Sequence, residues 1–144
     1  MLNKVMAFIL ILALSGCSLL PKETMDLLDE EISSVSISKT MELGEINESI
    51  LHVFTDDETI PIFREAITTA TKETYSIDID TSDYDLLIEY ESDEGALPAH
   101  PIHLWLGEEG EHSYFMYMID TETLCKTSNN MTNSLRLLLH SINQ

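Results

Sequence analysis

The sequence predicts an α+β domain: an antiparallel sheet of about five or six strands with two helices packed on one face. Three observations carry this. Tyr84–Glu91 alternates apolar and acidic residues with the period of two that a sheet with one wet face needs. Ile60, Phe63, Ile67 and Ala70, and later Met131, Leu135, Leu138 and Leu139, recur at helical spacing. The strands after Tyr84 are joined by short turns, which suit antiparallel neighbours. The predicted order is β-β-α-β-β-β-β-α.

Ile32–Lys39 sets Val35 and Ile37 against serines, as a half-buried strand does. Gly44 and Asn47 mark the loop after it. Ile50–Phe54 is a second strand, β-branched and aromatic. Thr55-Asp56-Asp57-Glu58 reads as a capping box, with acids at the positive end of a helix running to about Lys72. Pro61 is tolerated only in a first turn and pushes the start towards Thr59. Asp93-Glu94-Gly95 and Glu108-Glu109-Gly110 are turn signals. They bracket a strand over Ile102–Leu106. Ser113–Ile119 and Thr121–Lys126 read as two more strands. Ser128 is a good cap for a last helix to about His140.

The chain has 144 residues, which suits one domain. Its first four residues carry a positive end through Lys4 and the amine. Val5–Leu14 are ten apolar residues in a row, too few to span a bilayer and suited to the core of a secretory signal. Leu14-Ser15-Gly16-Cys17 follows at once and resembles a bacterial lipobox at all four positions. That resemblance implies a diacylglyceryl thioether on Cys17 and cleavage before it. Several acyl chains, at about 0.8 kcal/mol per buried CH₂, make a stable anchor. The expected division is therefore a cleaved signal peptide over 1–16, a lipidated Cys17 and tether over 17–31, and one extracytoplasmic domain over 32–144. The expected location is the outer face of the cell membrane, with the lipid bilayer as first partner.

There are 26 acidic and 7 basic side chains, for a formal charge of −19, and every acid follows Cys17. Such a surface repels nucleic acid, teichoic acids and anionic headgroups, so nucleic-acid binding is excluded. Solubility alone accounts for charge of this size. With Cys17 acylated, Cys125 is left without an internal disulfide partner.

From Ser33 onward a further set of residues is distinctive. Phe54-Thr55-Asp56 leads into Ile62-Phe63-Arg64-Glu65-Ala66-Ile67. Asp83-Tyr84-Asp85, His103-Leu104-Trp105-Leu106-Gly107, Asp120-Thr121-Glu122-Thr123 and Ser128 follow. On these the chain resembles the YhfM-like family of small Bacillus-type lipoproteins. The resemblance implies a cell-surface lipoprotein and supplies no catalytic residues. A tyrosine is common there at the place of Cys125, which argues against that thiol as a nucleophile.

Two constellations are candidates for metal. Asp78, Asp80, Ser82 and Glu89 loosely match a calcium loop, but Asp83 stands where its turn wants glycine. Asp78, Asp80, Asp83 and Asp85 could form a looser cation site. His100, His103 and His112 could meet across a hairpin, a grouping that suits zinc or copper. His103, Trp105 and Tyr117 are candidates for a partner surface. No nucleophile elbow, zincin motif or phosphate loop is present. The expected function is a non-enzymatic interaction module at the cell surface, without cofactor, that binds an unknown protein; the alternative is a divalent-cation-binding lipoprotein.

Overall fold

The computed structural model describes residues 20–74 and 80–144. Leu14–Cys17 and Asp78 lie outside the described residues. Within them the elements are β1 (Ile32–Lys39), β2 (Ile50–Phe54), α1 (Ile60–Thr68), β3 (Thr71–Lys72), β4 (Tyr84–Tyr90), β5 (His100–Trp105), β6 (Tyr114–Tyr117), β7 (Cys125–Lys126) and α2 (Asn129–Ser141). The strands form one antiparallel sheet in the order β2-β1-β4-β5-β6-β7-β3. The predicted α+β class holds, and both helices are present.

Pairing register follows from the alternation in the sequence. Val35 and Ile37 of β1 lie opposite Ile88 and Leu86 of β4. Leu86 lies opposite Ile102 of β5, and Leu104 opposite Phe115 of β6. These side chains are fully buried with Phe63 and Ile67 of α1 and Leu135 and Leu139 of α2. Slipping any of these strands by one residue would send its apolar set to the other face.

The helices begin for different reasons. Ser128 caps α2, its side chain accepting from the Met131 amide. At α1 the cap is Thr59, where Pro61 pushes the start, rather than Thr55 of the predicted capping box, and Pro sits in the first turn. The Asp56 carboxylate accepts from the Glu58 and Thr59 amides and the Thr59 hydroxyl, closing a turn just before the helix. Those bonds hold its pKa below the usual carboxylate value. α1 also ends earlier than expected, because Thr71–Lys72 leaves it to pair with β7 as a sheet edge. A two-residue strand has no alternation to read.

The segment before β1 runs along the domain rather than away from it. Thr24 bridges to Thr71, and the Met25 amide donates to the Ala70 carbonyl. Met25 is almost fully buried in the core. Arg64 donates to the carbonyls of Leu28 and Glu30. Tyr117 Oη accepts from the Asp26 amide at 2.7 Å and donates to its carbonyl. The expected tether is thus packed down from Glu23 onward.

Candidate functional site

The face of the sheet away from the helices would ordinarily be wet. Alternation turns Tyr84, Leu86 and Ile88 to the core and therefore Asp85 outward, and it does the same to His103 between Ile102 and Leu104. Antiparallel pairing then sets Asp85 directly opposite His103. The loop between β1 and β2 folds back over this pair. Both side chains are completely removed from solvent.

Every polar atom of the pair has a partner. Asp85 Oδ1 accepts from His103 Nδ1 at 2.9 Å and from Thr40 Oγ1 at 2.6 Å. Asp85 Oδ2 accepts from the Asn47 amide at 2.9 Å. The Gly44 amide donates to His103 Nε2 at 2.8 Å. An imidazole nitrogen that accepts carries no proton, so the His103 proton sits on Nδ1, facing the carboxylate. Carboxylate and imidazole so arranged are the two elements that a general base needs, and here one backbone amide covers Nε2.

That amide belongs to a glycine for a physical reason. Gly44 has φ +86°, a left-handed conformation costly for residues with a Cβ. On the same face a groove of about 190 Å³, lined by Ser36, Ser38, Ile46, Asn47, Glu48, Ile50 and Leu87, comes near Asp85 through its strand partner Ser38, although neither Asp85 nor His103 lines it.

Among the described residues neither predicted metal constellation is assembled; Asp85 and His103, one from each, are the two candidates that meet. His103 is engaged as described. His112 Nδ1 lies 2.7 Å from the Thr127 carbonyl. The Asp80 carbonyl accepts from Trp105 Nε1, and the Asp83 carboxylate accepts from the Leu106 amide. Among the described residues, no group of three or more His, Cys, Asp or Glu side chains is placed to hold a metal.

The predicted partner surface also divides. His103 is buried, and Trp105 shares its face. Tyr117 lies opposite Ile102 and so belongs to the core side. There it neighbours His100 and Tyr90, whose hydroxyl lies 2.6 Å from His100 Nδ1. Burial lowers the His100 pKa and raises those of both tyrosines. Cys125 is buried as well, its thiol pushed up to about 11, which leaves it unreactive at neutral pH.

Asp85 as the partner of His103 was not recognised as such in the sequence. The signal was there: two polar residues at outward positions of adjacent antiparallel strands. What it lacked was the register and the covering loop.

Fold and site together define an antiparallel α+β domain with a buried carboxylate–imidazole pair under a loop. The model of the YhfM protein family matches residues 29–144, and the chain belongs to that family. No curated protein matches it. Among solved structures it is similar to a thioesterase-like protein from Clostridium sporogenes ATCC 15579, at 18% identity and a TM-score of 0.57, over 73% of this chain and 91% of that one. This likeness overturns the expectations of a purely non-enzymatic interaction module and of no enzyme: the fold is one shared with a thioesterase-like protein. The cation-binding alternative gains no ligand set among the described residues.

Proposed function

We propose that this protein is a lipid-anchored extracytoplasmic hydrolase of acyl esters or thioesters, with the Asp85–His103 pair as its general base. The observation that carries the reading is that pair, with the proton on Nδ1 and Nε2 held by the Gly44 amide alone. The likeness to a thioesterase-like protein supports the substrate class, and the groove near Asp85 suits a short acyl chain. The lipobox Leu14-Ser15-Gly16-Cys17 supports the location.

In the described state the site is closed. Movement of the loop breaks two bonds to the pair, those of the Gly44 and Asn47 amides. Nε2 then takes a proton from water as its oxygen attacks the acyl carbon. The Asp85 carboxylate stabilises the imidazolium that forms, and Thr40 holds that carboxylate in place. The proton passes to the departing alcohol or thiol, and the acid is released.

The test is hydrolysis of short acyl-thioesters by the full chain and by His103→Gln. Loss of turnover in a variant that still unfolds cooperatively supports the reading. Equal turnover in both, or none in the wild type, removes it. Fatty-acid labelling of wild type and Cys17→Ala tests the anchor: label retained by the variant would contradict it.

A further inference from the structure

The attachment of the segment before β1 fixes which part of the domain can reach a membrane. The Lys72 amide donates to the Glu23 carbonyl at 2.8 Å, and Lys72 Nζ lies 3.6 Å from the Glu23 carboxylate. Residue 23 is therefore held at β3, one edge of the sheet. Only residues 18–22 separate it from Cys17. Fully extended, that stretch reaches about 20 Å. The strands are spaced about 4.8 Å apart, so β2 at the other edge lies roughly 29 Å away along the sheet.

Strand direction narrows the corner further. The pairing of Lys72 with Cys125 and the bond from the Glu73 amide to the Leu124 carbonyl send the chain out towards the β6–β7 connection. That connection carries Ile119, whose side chain is 88% exposed; Leu20, on the emerging chain, is 84% exposed. The corner also gathers cations. Six basic residues follow Cys17, namely Lys22, Lys39, Arg64, Lys72, Lys126 and Arg136. Lys72 pairs with Glu23, and Lys126 with Glu73. Lys22 adjoins them in the chain. Half the cations of a strongly acidic protein thus sit at this corner, among Glu23, Glu73 and the connection's Asp120 and Glu122. The diagonally opposite corner holds Ile50, paired with Ser38 at the far end of β2.

We infer that the β3–β7 edge and the β6–β7 connection rest on the bilayer, with Ile119 entering its interfacial layer and the β2 edge pointing away. This rests on the lipid-anchored reading of Cys17. The occupant is the lipid surface itself. The short covalent reach excludes an orientation with the β2 edge down.

Single cysteines at Ile119 and at Ile50 test this in the full chain, expressed in cells that acylate lipoproteins and reconstituted in vesicles containing phosphatidylglycerol and a headgroup-nitroxide lipid. Cys125 is buried and its thiol stays protonated, so a maleimide dye reads only the introduced site. The expected result is loss of fluorescence for Ile119→Cys and none for Ile50→Cys. Equal loss at both sites, or loss at Ile50→Cys alone, in protein whose mass shows the acyl chains overturns the orientation and leaves the anchor standing. Absence of acyl mass overturns both.

Discussion

Asp85 and His103 face each other across β4 and β5 with their side chains 2.9 Å apart and no access to water. A carboxylate is withdrawn from solvent only where its oxygens are filled, and here three donors fill them.

Removing that carboxylate leaves donors stranded. Asp85→Ala strands the His103 Nδ1–H and the Asn47 amide, leaves Thr40 with Ser82 alone, and should cost about 3 kcal/mol or more. Urea unfolding of wild type and variant measures it. A cost within experimental scatter would mean that loop and pair are not coupled as described.

The segment before β1 is predicted to act as core. Met25→Ala should cost about 2–4 kcal/mol, the usual range for a buried methionine, although it lies outside the region matched by the family. Thermal unfolding reads the difference. A variant as stable as the wild type would show that the segment detaches.

His100 gives a signed pH dependence. Burial lowers its pKa in the folded state, and the Tyr90 hydroxyl lies 2.6 Å from its Nδ1. The unfolded chain therefore binds the proton at higher pH than the folded one. The neutral form's contribution is fully present above the ordinary histidine value and is lost as pH falls below it. Stability should fall less between about pH 7.5 and about pH 5 in His100→Gln than in the wild type. Parallel curves would refute the assignment.

Thr127 presents the opposite case. Its hydroxyl is buried without a partner, although the backbone around it is bonded. Thr127→Val keeps the shape and removes the stranded group, and should stabilise the fold by about 1 kcal/mol. Urea unfolding decides this as well; destabilisation would mean that the hydroxyl is satisfied.

Much of the fold could be read from the chain because its long elements are periodic. Tyr84–Tyr90 and the stripes of α1 and α2 announce their faces through spacing alone, and Ser128 caps where its chemistry says it should. The short pieces could not be read. Thr71–Lys72 has no pattern, and Met25 looks like any apolar residue in a polar stretch until Ala70 offers its carbonyl. The site was half legible. His103 stood out as a residue, but its partner, its tautomer and its removal from solvent depend on a loop whose path is set by contacts distant in sequence. The metal reading of His103 finds no ligand set among the described residues: the Gly44 amide holds Nε2, the Nδ1–H donates to Asp85, and three donors fill that carboxylate.

The most direct measurement compares initial rates of acyl-thioester hydrolysis by the full chain, by Gly44→Ala and by Gly44→Ala combined with His103→Gln. A Cβ at the left-handed Gly44 costs about 1–2 kcal/mol in the closed loop and so favours release of Nε2. Hydrolysis should be faster in the single variant and return to background in the double one. A rate indifferent to Gly44, or an increase that survives loss of His103, would contradict it.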